Sequence, residues 1–481
     1  MSHFGHENHA FEDYLPLVKE GLTVSSRRNM LKAGMAGIAG LSVPTLLKAR
    51  DLGARNNRPL SNKSVILLWM TGGPSQIDTW DPKPDRPWIN RGPWQPISTA
   101  VPGIHICEHL PKQAAMMDKF TIIRSVDCKK SNHEPNSVMQ TGNREAGPRV
   151  NPIADRIPAI GSVIAKHRGA NNQAMPPYVV FRKSRSHIAW AGDLGKRYDP
   201  FVANDAAELP VYDSVGNDLN RTSGANIFKF PAGLSHERLG NRQSLLSDLD
   251  KIKRSIDVDG TIEAQDRYTQ QAYDMMLGRR AQKAFDLSLE PQQSRDRYGK
   301  HLWSQQTLIA RRLVEAGVSF VTIDLSYHGS SGTWDNHGIP GGVYGGISKG
   351  LGPLLPLYDH MVTTLVSDLE ERGILDNTLV ISMGEFGRTP NMGTQESEDG
   401  RNHWPVVMSM ALAGGGLRHG QVIGSSNNMG AEVKDRPVTP GDLAATIYRH
   451  MQVPLDTTYE DRRGRPHYVV QENGQPIREL F

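Results

Sequence analysis

Residues 64–76 read SVILLWMTGGPSQ. Seven apolar or small residues, 64–70, run without alternation up to Thr71 and a Gly-Gly-Pro turn, the pattern of a strand buried on both faces that stops at a loop. A strand of this kind belongs to a parallel sheet covered by helices on each side. The rest of the chain repeats the logic. HLPKQAAMMDKFTIIRSV (109–126) reads as a helix feeding a strand at 120–126, and MPPYVVF (175–181) is a strand after a helical stretch at 157–167. Further on come a helix at 305–316, the strand VSFVTID (318–324), a helix at 353–371, the strand TLVISM (378–383), the apolar run VVMSMALAG (406–414) and a last helix at 441–451. Alternation of this sort predicts an α/β fold with a doubly wound, mostly parallel sheet, whose ligands bind beyond the carboxyl ends of the strands. Residues from about 190 to 300 break the rhythm. A charged, Gln-rich helical pattern at 242–289 reads there as a helical insertion on the main domain, which spans 60–481. No internal repeat and no low-complexity tract is visible.

The composition is that of an ordinary globular chain, 38% hydrophobic and 22% charged over 481 residues. Basic residues number 55 against 51 acidic ones and are scattered, so the sequence carries no footprint for nucleic acid. Cys107 and Cys128 match neither a zinc knuckle nor a redox CxxC, and they read as structural or free thiols. Near the start, SSRRNMLKAGMAGIAGLSVPTLLKAR (25–50) sets the pair Arg27 and Arg28 before an uncharged Gly- and Ala-rich segment at 33–47. That is the layout of a twin-arginine export signal, occupying about 1–50 with its flanks. The segment is shorter than the ~20 apolar residues needed to span a bilayer, and Pro44 interrupts it, so no permanent membrane span is expected. The expectation is a periplasmic or otherwise exported protein delivered by the twin-arginine translocation machinery.

Unusual polar chemistry gathers after four of the strands. Thr71, Ser75, Asp78 and Asp81 follow the first, and His133 follows the strand at 120–126. Asp324, Asp335 and His337 follow VSFVTID, and Glu385, Arg388, Arg401 and His403 follow TLVISM. In a parallel sheet these junctions share one edge, and mixed carboxylates and imidazoles suit a divalent metal such as zinc or manganese. Each junction alone has a plainer reading. Asp335 and His337 in WDNHG also fit a turn cap, Glu385 beside Arg388 also fits a structural ion pair, and His403 also fits a hydrogen-bonded structural histidine. Arg388 and Arg401 fit either bidentate capture of a phosphate or sulfate group or surface salt bridges. The Gly-rich stretches TGGPSQ and AGGGLRHG lack phosphate-loop spacing and read as turns.

Taken together, the twin-arginine layout, GGPSQIDTWDPKP, the Asn-His about ten residues before a Thr-Gly, WDNHG, LVISMGEFGRTP and GRNHWP resemble a bacterial family known as domain of unknown function 1501. That family is placed in the alkaline-phosphatase and sulfatase superfamily. The resemblance implies an alkaline-phosphatase-like parallel sheet with metals at the strand ends. Asp335 with His337 resembles a first pair of metal ligands, Glu385 stands where an Asp-His pair would be, and His403 resembles the late histidine. After the first strand the superfamily's acidic ligand is replaced near Thr71 and Gly72, which leaves Asp78 as a substitute. The segment KKSNHEPNSVMQTG (129–142) has Asn132 or His133 where a sulfatase would carry its nucleophile.

The expectation from these readings is an exported, metal-dependent hydrolase of phosphate or sulfate esters. Asp335, His337, Glu385, His403 and Asp78 would bind a divalent cation, zinc, manganese or calcium. Arg388 would stabilise developing negative charge, and His133 or Ser75 would attack or transfer a proton. The alternative is a relative that has lost catalysis and binds sulfated or phosphorylated surface polymers or a protein partner.

Overall fold

SVILLW forms strand β1 (Ser64–Trp69), and all six of its residues are buried. The computed structural model describes residues 61–133, 136–147, 151–214, 217–224, 280–326, 333–340, 345–393 and 396–481. The twin-arginine segment and 242–279 of the expected helical insertion lie outside the described residues. Seven further strands complete the main sheet: β2 (Phe120–Val126), β3 (Tyr178–Phe181), β4 (Phe201–Val202), β5 (Phe320–Asp324), β6 (Thr378–Met383), β7 (Met408–Gly414) and β8 (Gln421–Ile423). Their order across the eight-stranded sheet is β8, β2, β7, β6, β1, β5, β3, β4. β1 pairs in parallel with β6 on one side and β5 on the other.

Period-two geometry sends successive side chains of β1 to opposite faces, and both faces are apolar. Ile66 and Leu68 join a core with Leu313 of α2 (Leu302–Ala316) and Leu355 and Leu365 of α3 (Gly352–Glu371). Val65 and Leu67 join a second core with Ile164 of α1 (Ile160–His167) and Leu443 and Ile447 of α4 (Pro440–His450). The expected doubly wound, mostly parallel sheet is present, with helices on each face. On one face the fully buried Arg311 of α2 is neutralised by Glu290, by Glu315 at 2.7 Å and by Asp368 of α3 at 2.9 Å, which ties the two helices together. On the other face α4 starts with a reciprocal capping box between Thr439 and Asp442.

Two features differ from the sequence reading. The run VVMSMALAG forms β7 antiparallel to both β6 and β2, so the sheet has one reversed strand. The reversal follows from the connection: the chain leaves the carboxyl end of β6 and re-enters at Met408, which pairs with Val126 at the carboxyl end of β2. The 384–407 connection therefore begins and ends on the carboxyl edge. The second difference lies in the 190–300 region, whose described part contains an antiparallel hairpin, Leu209–Ser214 with Asn217–Ser223, as well as short helices. Among the described residues no helix is long and apolar enough to cross a membrane.

His450, at the end of α4, is buried and makes a 2.9 Å hydrogen bond to the carbonyl of Ser64 at the start of β1. Burial is the main force lowering its imidazole, only partly opposed by that carbonyl, and holds it at about 4 against an ordinary 6.5. The unfolded chain thus takes up the proton first: the stabilisation is complete above about pH 6.5 and drains away as pH falls toward 4. A shift of this size amounts to about 3 kcal/mol. Urea unfolding between pH 7 and 4 should show a shallower loss of stability for His450→Gln than for wild type. Identical slopes would mean that His450 titrates alike in both states.

Candidate metal centre

Loops after β1, β2, β5 and β6 converge at the carboxyl edge. WDNHG places Asp335 and His337 two residues apart, and the 384–407 connection supplies Glu385 and Arg388 as it leaves β6. The same connection supplies His403, which pairs back onto Arg388 in a short antiparallel ladder. His133 arrives from the loop after β2. Asp335 is the hub. Its Oδ1 lies 2.8 Å from His337 Nε2, 3.2 Å from His403 Nε2 and 2.5 Å from Arg388 Nη2, and its Oδ2 lies 3.4 Å from His133 Nε2. The imidazoles meet one another as well: His403 Nε2 is 2.7 Å from His133 Nε2 and 2.9 Å from His337 Nε2. Ligand atoms of His133, Asp335 and His403 all lie within 4.8 Å of one another.

Such contacts exceed what hydrogen bonds can explain. A neutral imidazole nitrogen carries either one proton or one lone pair, yet His403 Nε2 has three polar neighbours within 3.2 Å. Three Nε2 atoms and a carboxylate pointing at one small volume form the donor set of a borderline divalent cation. Glu385 takes a different place from the one expected. Its Oε1 faces His133 Nδ1 at 2.6 Å and accepts the Gly72 amide at 2.9 Å, so it fixes the tautomer that turns His133 Nε2 toward Asp335. This is the carboxylate-histidine arrangement that commonly orients a ligating imidazole. Glu385 Oε2 is buried with no hydrogen-bond partner, as is His337 Nδ1. Phe386 packs against both His133 and His403, with ring centroids 4.8 and 4.9 Å away.

The charge states follow from these neighbours. Burial alone would raise the Asp335 carboxyl, but Arg388 and the hydrogen bonds from the three imidazoles hold it well below the usual carboxylate range. For His133 burial opposes the charged form, yet Asp335 and Glu385 outweigh it and lift the ring to about 9. His403 is pushed down by burial first; Asp335 works against this, while Arg388 and His133 reinforce it.

Arg388 is not the oxyanion holder that its position implied. It is fully buried, and its Nε donates to the Gly73 carbonyl at 2.9 Å, its Nη1 to the Arg401 carbonyl at 3.3 Å and its Nη2 to the Gly72 carbonyl. Its ionic partner is Asp335, not Glu385. The two glycines make this possible. Gly72 has φ +114°, and a Cβ there would overlap the backbone nitrogen of Asp335; Gly73 has φ +78° and lies against Phe386.

Asp78 and Ser75 are committed elsewhere. Arg401 Nε reaches Asp78 Oδ2 at 2.6 Å, and the Ser75 hydroxyl donates to the same oxygen at 2.5 Å, all buried. This set meets the cluster through the backbone of Arg401, whose carbonyl accepts from Arg388 Nη1 at 3.3 Å. Unlike Asp335, which three imidazoles surround, Asp78 has Arg401 and Ser75 as its side-chain partners, and these leave it outside the donor set. Arg401 likewise spends its donors on Asp78 and on the carbonyls of Asn90, Thr389 and Pro390. Cys107 and Cys128 are buried and unpaired with each other. One pair escaped the sequence reading: His187, after β3, is bonded through Nδ1 to Asp324 at the end of β5. The signal was a histidine six residues beyond a buried strand on the same edge.

The chain belongs to the family described as protein of unknown function (DUF1501), whose model matches residues 62–481. Comparison with curated proteins finds no match. Among solved structures it is similar to the PsFucS1 sulfatase from Pseudoalteromonas sp., at 13% identity and a TM-score of 0.38, over 85% of this chain and 70% of that one. It is also similar to Ps i-CgsB, at 9% identity and a TM-score of 0.38, over 82% of this chain and 73% of the other. A third is the phosphonate monoester hydrolase SpPMH from Silicibacter pomeroyi, at 12% identity and a TM-score of 0.30, over 77% and 71%.

Removing the guanidinium should expose how much Asp335 depends on it. Arg388→Ala strands a buried carboxylate and should cost about 3–5 kcal/mol in urea unfolding. Adding Asp335→Asn to that variant should restore part of the loss, and strictly additive losses would contradict the pairing.

Proposed function

We propose that this protein is an exported, metal-dependent hydrolase of phosphate or sulfate esters. The observation that carries the reading is the crowding of His133, His337 and His403 Nε2 atoms around Asp335, closer and more numerous than their protons can serve. These four residues would hold the cation, which moves His133 from the attacking group to a ligand and Glu385 from a ligand to the group that orients it. Three nitrogens and one carboxylate suit zinc or manganese better than calcium, which prefers six to eight oxygens. When bound, the metal supplies Lewis-acid polarisation of an ester oxygen. Arg388 keeps Asp335 ionised and fixed, and Phe386 walls two of the imidazoles from water.

Water is the attacking group that best fits the remaining residues. Ser75 is held by Asp78, and Thr71 donates its hydroxyl to Asp324 at 2.7 Å. The same observation favours a second reading, in which the fold retains the cluster and binds a sulfated or phosphorylated polymer, or a protein partner, without turnover. Export rests on Arg27 and Arg28 before the apolar segment, and the twin-arginine machinery is the partner this implies.

Elemental analysis of protein purified with zinc and manganese present should find bound metal in wild type and little in Asp335→Asn or His403→Ala. Glu385→Gln should keep the metal with roughly 10- to 100-fold weaker affinity, as removal of an orienting carboxylate does. Metal-free wild type, or unchanged content in the first two variants, would sink the reading. Turnover of any aryl phosphate or sulfate by the loaded protein selects the hydrolase; binding of sulfated polymer without turnover selects the second reading. Lysine at both 27 and 28 should leave the protein in the cytoplasm of its host on cell fractionation.

A further inference from the structure

Asp324 ends β5 fully enclosed, and four donors meet its carboxylate. His187 Nδ1 lies 2.7 Å from Oδ2, and the Lys183 amide donates to the same oxygen at 2.8 Å. The hydroxyls of Thr71 and Ser326 donate to Oδ1 at 2.7 and 2.8 Å. Burial raises this carboxyl, but His187 and the other donors more than offset it and keep it ionised. The Asp324 carboxylate accepts from Nδ1 and so turns Nε2 to the far side of the ring. Nε2 makes no hydrogen bond to a described residue, and it is not among the sealed orphan atoms, so it meets solvent.

The pair is wired to the metal cluster on two sides. Thr71, which holds Asp324, precedes Gly72, whose amide holds Glu385. The loop carrying His187 is bonded to the loop carrying His133: the Asn136 amide donates to the Ser186 carbonyl at 2.9 Å, and Gln140 Nε2 donates to the His187 carbonyl at 2.6 Å. Between these two loops Asn136 is 1% exposed, and neither its amide nitrogen nor its amide oxygen has a partner. A sealed amide of that kind costs on the order of 1–3 kcal/mol per unmade bond unless a bound group completes it.

We propose that His187, oriented by Asp324, is the general acid for the leaving group of the ester bound at the metal cluster, with Asn136 contacting that ester. The inference rests on the hydrolase reading above. Water forms its bond to phosphorus or sulfur as the bond to the ester oxygen breaks. The departing oxygen keeps the electron pair and takes the Nε2 proton of His187 in its doubly protonated form, and the proton lost by the attacking water restores that form. The charged group facing His187 from the sheet is Asp324. On its own loop Arg182 and Arg185 stack on Trp190, with guanidinium carbons 5.7 and 4.2 Å from the ring centroid.

Phenyl and para-nitrophenyl phosphates and sulfates separate the roles, because only the poorer phenoxide leaving group needs the proton. In metal-loaded His187→Gln, kcat for the phenyl ester should fall about 10²-fold or more while the para-nitrophenyl ester loses less than about 10-fold, with metal content unchanged. Added imidazole should restore part of the activity of His187→Ala. Equal losses on both esters, or none, from an active wild type overturn this inference and leave the hydrolase reading standing. A wild type inactive on every ester removes both. If the variants do not fold, the wild type alone decides: rates nearly independent of leaving-group basicity support the acid, and a steep dependence overturns it.

Discussion

The ion pair of Asp335 and Arg388 is the contact on which the carboxyl edge is built. Both residues lie in the interior, where an unpaired charge would cost several kcal/mol, and their attraction offsets that cost only because the guanidinium also bonds the carbonyls of Gly72 and Gly73. Three loops are locked by that one group. The first turn after β1 must adopt positive φ to aim its carbonyls inward, the WDNHG loop must bring Asp335 against it, and the connection after β6 must supply the arginine. His337 then stands two residues from the anchored carboxylate, and His403 stands across the short ladder from the anchored arginine.

One reversed strand completes the arrangement. Were β7 parallel, the chain leaving β6 would have to cross to the far edge of the sheet before re-entering, and His403 would go with it. Because β7 is antiparallel, the chain re-enters the sheet from the edge where it left β6, and Glu385, Arg388, Arg401 and His403 share that neighbourhood. The mixed sheet is thus what allows a single connection to furnish so much of the polar chemistry.

The parallel core was legible because its strands are unbroken apolar runs and its helices carry period-3.6 stripes, signals that burial on both faces forces on a sequence. The strand-end positions of Asp335, His337, Glu385 and His403 were legible for the same reason, since topology alone puts the ends of parallel strands together. What stayed hidden was the choice of partners. Arg388 stands three residues from Glu385 but pairs with Asp335, and Asp78 is consumed by Arg401 from 323 residues away, because spacing along the chain says nothing about which buried charge reaches which. The direction of VVMSMALAG was equally hidden: an apolar run looks the same in either orientation. His187 sits in a basic loop, and only the place of Asp324 at the end of β5 makes it stand out.

The contacts that close the cluster also bear on how the chain acquires it. His133 meets Glu385 and His403 across 252 and 270 residues of sequence, so no early fragment holds more than part of the set. Loops that long are closed late, after the parallel strands have found their registers, and folding dominated by such distant pairings is slow. A chain interrupted just after β6 would carry His133, Asp335 and His337 but neither the ladder nor the last imidazole. The cluster is therefore completed in one step near the end of folding, and under the proposed metal-binding reading metal uptake would report the arrival of the native state.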